Sequence, residues 1–238
     1  NISAAGQYEI SWGDGSEIEI ISKESVGSES ISHIYKKSGK YTIGISGNAT
    51  LYSTSNTTAA ISFSGNKNIS RISGSLGAIF GTLTDRVNSD GTLMADAQPR
   101  FSLTFYNCTN LKGSIPENLF AGVSGAPASY MFDSTFQGCS GLTGNIPENL
   151  FAGLDGAPAS YMFYRTFYGC SGLTGYIPEN LFAGISGAPA SSMFAYTFYG
   201  CSGLTSNIPE NLFGRTLSDG TYSGIYGEPA NQMFAYTF

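Results

Sequence analysis

The chain has 238 residues, 41% of them hydrophobic and 13% aromatic, which is enough to bury a sizeable core. Only 12% are charged, against about 25% in an average globular protein. The net charge of −6 and the scattering of the 11 Lys and Arg exclude the clustered cations that a nucleic-acid backbone needs.

The first 50 residues alternate with period 2. Tyr8, Ile10 and Trp12 alternate with polar residues, Ile18 and Ile20 follow the Gly13-Asp14-Gly15 turn, and Ile31, Tyr35, Tyr41, Ile43 and Ile45 come next. This pattern predicts antiparallel strands of a small β-sandwich-like segment over 1–50. Three blocks in it, Trp12-Gly13-Asp14-Gly15-Ser16, Ser32-His33-Ile34-Tyr35 and Ser38-Gly39-Lys40-Tyr41-Thr42-Ile43, resemble the WGDGS…HxY…GxYTV pattern of polycystic-kidney-disease-type (PKD) domains. The resemblance covers only the later strands of such a domain and implies a reduced extracellular spacer or carbohydrate-associated module.

Residues 51–238 are expected to form the second unit. A degenerate first repeat occupies about 68–105, where Ile69, Ile72 and Leu76 sit among Gly, Ser and Asn. Regular repeats run over 105–213 with a fixed spacing of 31 residues, marked by Cys108, Cys139, Cys170 and Cys201 and by Ile115, Ile146, Ile177 and Ile208. The last repeat, 213–238, is atypical. Phe213-Phe234-Phe238 has the spacing of Phe80-Phe101-Phe105, so the first and last repeats share a connection nine residues longer than the central one. A period of this length predicts a solenoid whose units bury their apolar sides against their neighbours.

Within a unit, Leu142, Gly144 and Ile146 are expected to face inward on a short strand, with Thr143 and Asn145 outward. Pro147 opens a predicted helical turn through Leu150-Phe151 to Gly153. Residues 159–167 are expected to form a second helix with Met162, Phe163 and Phe167 inward, capped by Gly169. The fold predicted is thus an α/β solenoid, a leucine-rich-repeat-type right-handed coil with one short parallel strand and helical turns per repeat. The Phe105-Cys108-Leu111-Ile115-Pro116 string and its later copies resemble bacterial surface leucine-rich-repeat proteins of the BspA-like type, and LTGxIP is also similar to plant-type repeats. The bacterial resemblance implies a surface-exposed or secreted protein that binds host or matrix components, and no functional residue carries over with its structural motif.

The four Cys share one column. They are expected to be buried, reduced and parallel, so that a serine at Cys170 would leave a hydroxyl without a partner. No CxxC pair accompanies the lone histidine, His33, so neither metal nor cofactor is expected. Within its block His33 reads as a strand residue with a local hydrogen bond, and Asp14 as a turn residue in preference to a Ca²⁺ ligand. Glu117, Glu148, Glu179 and Glu210 read as first-turn residues of helices that begin at proline, not as paired catalytic carboxylates. Sequons at Asn48, Asn56, Asn68 and Asn107 matter only in a secretory eukaryotic host.

The candidate ligand-binding residues are the outward strand positions. One column is Lys112, Thr143, Thr174 and Thr205, and the next is Ser114, Asn145, Tyr176 and Asn207, where Tyr176 offers an aromatic face suited to a sugar or peptide. A second variable set, Ser134, Arg165, Tyr196 and Tyr236 with Gln137, Tyr168 and Tyr199, reads as partly buried between coils. The functional expectation is a non-enzymatic cell-surface or secreted adhesion protein contacting a host or matrix protein or glycan. The alternatives are a structural spacer and an accessory region of a carbohydrate-active enzyme. The chain opens on Asn1 without a signal-like run, as a processed or trimmed chain does, and no stretch approaches the roughly 20 apolar residues of a membrane span. Phe234 and Phe238 occupy core columns with no following coil, which predicts weak self-association through that end.

Overall fold

A computed structural model describes residues 1–238. The period-2 stretch gives strand β1 (Ala5–Ser11), whose Tyr8 and Ile10 are buried while Gln7 and Glu9 are exposed. It pairs antiparallel with β2 (Glu19–Lys23) on one side and β3 (Gly44–Leu51) on the other. This is one three-stranded sheet, not a sandwich. Ile18 lies outside β2, and neither Ile31–Tyr35 nor Tyr41–Ile43 is in a strand. The sheet covers one end of the molecule: Tyr8 stacks on Phe80 with ring centroids 5.4 Å apart, and a single apolar core runs unbroken from Ile2 to Leu212.

The leucine-rich-repeat-type α/β solenoid expected from residues 51–238 is overturned. There is no helix anywhere, and the only strands beyond β3 are β4 (Gly214–Thr216) and β5 (Tyr222–Gly224), a two-stranded antiparallel hairpin. The cause is visible in the backbone. In the segment expected to be the second helix, left-handed residues recur every fourth position: Tyr130, Ser134 and Gly138 have φ of 59°, 54° and 76°, and Tyr161, Arg165 and Gly169 repeat this at 59°, 53° and 70°. An α-helix cannot accommodate such residues. The chain instead makes consecutive turns, in which Asp133 N–H donates to Tyr130 O and Thr135 N–H to Phe132 O. The intervening amides donate to the following copy of the segment, Phe132 to Met162 O and Ser134 to Tyr164 O. A period of four lies close to the helical 3.6, so the apolar spacing fits both and favours the wrong one.

The expected strand ladder over residues 111–115, 142–146, 173–177 and 204–208 also fails to form. Each pair of neighbouring segments meets in a single parallel bridge, Gly113 to Leu142, Gly144 to Leu173 and Gly175 to Leu204. Gly113, Gly144 and Gly175 have φ of 86°, 80° and 83°, a left-handed conformation that ends any extended run. Of 107 backbone hydrogen bonds only 16 lie within strands, so turns and contacts between layers hold the fold.

The layers are held in register by phenylalanine. Every Phe except Phe80 belongs to one of three columns of near-parallel rings. One runs Phe63, Phe105, Phe136, Phe167, Phe198, Phe238 at 5.5–5.7 Å between centroids. A second runs Phe101, Phe132, Phe163, Phe194, Phe234, and a third Phe120, Phe151, Phe182, Phe213. Beside them lie buried hydroxyls that the apolar pattern does not announce: the Oγ1 atoms of Thr135, Thr166 and Thr197 donate to Phe carbonyls one layer back, each at 2.9 Å.

All four cysteines are buried and unbridged. Each Sγ–H donates to a backbone carbonyl one layer back, Cys170 to Phe136 O at 3.1 Å and Cys201 to Phe167 O at 3.0 Å. This corrects the expectation of an unpartnered hydroxyl, since Ser at position 170 would inherit an acceptor. Burial pushes the Cys139 and Cys201 thiols up to about 12 and that of Cys170 well above its ordinary value. A thiol reagent at neutral pH should therefore label none of the four in native protein and all four in denaturant. Labelling of Cys170 in the native state would contradict this packing.

Candidate binding surfaces

All eight predicted contact residues are exposed. Lys112, Thr143, Thr174 and Thr205 form one column, and Ser114, Asn145, Tyr176 and Asn207 the next, on either side of the bridging glycines. The Thr143, Thr174 and Thr205 amides donate to Gly113, Gly144 and Gly175 carbonyls, which fixes the spacing of the columns. Tyr176 is half exposed, and no other aromatic ring stacks on it.

The PKD-like blocks converge, although His33 lies on no strand. The Trp12 and His33 rings stack at 4.8 Å, His33 meets Tyr35 edge-on at 4.7 Å, and Tyr35 stacks on Tyr41 at 4.1 Å. His33 Nε2 lies 2.8 Å from Asp14 Oδ2, and Asp14 Oδ1 accepts from the Ser16 hydroxyl at 2.6 Å and the Ser16 amide at 3.1 Å. The Ser16 hydroxyl, then His33, hold the Asp14 carboxyl well below its ordinary 3.8. A folded value below the unfolded one stabilises fully above about pH 4, and the contribution is lost as pH falls through the lowered folded value. Emission of Trp12, the sole tryptophan, should change in that acid range in the parent, while Asp14→Asn should show the changed emission already at neutral pH. Identical profiles for the two proteins would remove Asp14 from the cluster's stability.

No helix stands behind the glutamate column, so its helix-dipole reading is corrected. Glu148 accepts from Asn180 Nδ2 at 3.3 Å, and Glu179 from Asn211 Nδ2, bonds that tie exposed side chains of neighbouring layers. No three His, Cys, Asp or Glu side chains gather as a metal site would require.

The second variable set is largely half-buried, in line with its expected partial burial, but it belongs to a wider outer face that its columns alone do not show. Tyr130, Tyr161, Tyr164, Tyr168, Tyr196, Tyr199 and Tyr236 form one continuous ring network on the outside of the layers. Tyr199 and Tyr236 are exposed, and the others are half-buried by their neighbours on the face rather than closed in the core. The Arg165 guanidinium sits at its centre, with Cζ 4.8 Å from the Tyr164 ring centroid, 5.1 Å from Tyr196 and 5.7 Å from Tyr168. Arg165 Nε is buried without a hydrogen-bond partner. Burial raises the nearby Asp133 carboxyl above its ordinary value, against the opposing pull of the Ser134 hydroxyl and the Arg165 charge. The repeat makes two of its columns legible, and Tyr130, Tyr161 and Tyr164, outside those columns, extend them into one face. The usable signal was the number of tyrosines among them, since buried columns of this chain use Phe.

No helix of the structure is long and apolar enough to cross a membrane. Compared with known proteins, the chain matches no family model, no curated protein and no solved structure.

Proposed function

We propose that this chain is a non-enzymatic binding protein of the cell surface or extracellular space that contacts a protein partner through the tyrosine face around Arg165. The observation that carries the reading is the continuous network of seven tyrosines about one arginine on an outer face. Tyr and Arg dominate the energetic centres of protein interfaces because they combine large rigid area with polar ends. Three pairs of these rings stack face to face and the others meet edge-on or tilted, so much of the ring-face area is taken up by neighbouring rings. That presentation suits a protein surface better than the flat stacking a sugar ring needs.

The test is binding to a panel of immobilised matrix and host proteins. The parent should bind at least one member, and Tyr196→Ala/Tyr199→Ala should lose about tenfold or more in affinity, as the loss of interface anchors does, with an unchanged far-UV spectrum. Binding to no member would favour a spacer, and binding insensitive to the double substitution would place the contact elsewhere. One observation supports a second reading. Tyr176, exposed and unstacked among Asn145, Thr174 and Thr205, has a ring face free for a glycan. Glycan-array binding abolished by Tyr176→Ala, with protein binding absent, would favour it.

A further inference from the structure

The layer nearest the N-terminal sheet breaks one column of the core. The residue before each of Phe132, Phe163, Phe194 and Phe234 is methionine, and Met131, Met162 and Met193 are fully buried. The equivalent residue before Phe101 is Arg100, which is also buried, with 6% of its surface exposed. Arg100 Nε donates to Ser129 O at 3.0 Å and Nη1 to Ser53 O at 2.9 Å, while Nη2 donates to no atom of the chain. The ion pairs of the structure are Lys23–Glu29, His33–Asp14 and Arg86–Asp96, so no carboxylate neutralises Arg100. Burial lowers its pKa, and no charged neighbour contributes to the shift. A buried cation without a counter-ion is costly, and Arg cannot shed its proton as Lys can.

Arg100 also lines a cleft of about 490 Å³ that is open to solvent along Met94, Ala95 and Ala126. Leu93, Met94 and Ala95 form one side, and Ala126, Pro127 and Ala128 the other. The volume falls within the roughly 300–1,000 Å³ of small-molecule sites, and a largely apolar wall with few polar groups is their usual composition. Both walls are fixed. The segment after the Val87–Leu93 bridge is clamped by Arg86, whose Nε and Nη2 reach the two oxygens of Asp96 at 3.1 and 2.6 Å. Gln98 Nε2 donates to Ser124 O and Ala126 O at 2.9 and 3.0 Å, and Thr82 Oγ1 donates to Gln98 Oε1 at 3.0 Å. The Gln98 amide is thereby committed to the walls, which leaves the guanidinium as the one charged group with a free donor, beside the Ser129 hydroxyl.

The geometry points to a binding site for a small monocarboxylic acid with an apolar body, its carboxylate on Arg100 and its body between Leu93-Met94 and Pro127-Ala128. Planar carboxylate oxygens match the guanidinium edge. One uncompensated positive charge balances one carboxylate, whereas a phosphate dianion would remain half neutralised between apolar walls. The site shares no lining residue with the tyrosine face, although Ser129 directly precedes Tyr130, and neither proposal depends on the other.

Calorimetric titration with octanoate, and with 1-octanol as its neutral counterpart, tests this. Octanoate should bind at least tenfold tighter than octanol and raise the melting temperature. Arg100→Met gives this layer the residue of the others. It should fold, melt higher than the parent without ligand, and lose the preference for octanoate. Arg100→Gln, which keeps an amide donor but no charge, should also lose the preference and serves if the Met variant fails to fold. Equal binding of octanoate and octanol by the parent, no octanoate binding at all, or a preference retained by the neutral variants would overturn the site.

Discussion

Truncation of Phe167 to alanine is expected to cost about 3–5 kcal/mol, the upper range for loss of a large core side chain. Phe167 is fully buried and lies between Phe136 and Phe198 at 5.6 and 5.7 Å, with Phe151 tilted against it at 6.5 Å. The vacancy would be bounded by rings that are themselves stacked, and such rings cannot move inward without breaking register with the next layer, so the cavity should stay open. Phe238→Ala is the matched control in the same column, half exposed and stacked on one side only, and should cost about 1 kcal/mol or less. Urea denaturation of the two variants measures the difference. Equal costs would mean that the rings contribute buried area alone and that the column has no added resistance to collapse.

The second large effect concerns how closely the layers approach. A methyl group on Gly184 would fall well inside contact distance of the Leu154 carbonyl oxygen, and one on Gly172 would meet the Leu142 and Ser140 carbonyls in the same way. These atoms belong to backbone and cannot swing aside as the end of a side chain could. Gly184→Ala should cost at least the 1–3 kcal/mol typical of overpacking, with a lowered urea midpoint and an unchanged slope. Gly44→Ala is the control: its methyl would meet only the Ser11 Cβ, at 3.7 Å, and should shift stability by no more than about 0.5 kcal/mol. A tolerated Gly184→Ala would require the layers to separate, which a Phe151–Phe182 ring spacing longer than its present 6.2 Å would reveal.

Much of the interior is legible because it repeats. Phe, Cys, Leu and Ile recur at 31-residue intervals, and the structure buries Phe136, Cys139, Leu142 and Ile146 with their counterparts Phe167, Cys170, Leu173 and Ile177. The local backbone is not legible by the same route. Hydrophobic spacing reports which residues point inward, and Met162, Phe163 and Phe167 point inward equally well from a helix or from turns of period four. Glycine at 144 and 175 could be read as a small strand residue, and only its φ shows that it ends the strand. In the site region, the eight outward residues follow from alternation about those glycines. The full tyrosine face does not, because Tyr130, Tyr161 and Tyr164 join it through ring contacts across layers that no single column of the repeat displays. Arg100 escapes because the first repeat was aligned by its phenylalanines, whereas the unusual residue stands one position before them.

The left-handed positions of the turn segments carry a consequence for variation. They are held by Leu103, Asn107, Tyr130, Ser134, Tyr161, Arg165, Ser192, Tyr196, Gln232 and Tyr236, as well as by glycines. None is valine, isoleucine or threonine, the side chains that crowd the backbone most at positive φ. Several of these positions are also the tyrosine face. The outer surface can thus change its chemistry by exchanging aromatic, amide, hydroxymethyl or guanidinium groups while every amide–carbonyl contact between layers persists. A restricted alphabet, written on a backbone indifferent to which of its letters is used, lets recognition diversify without refolding.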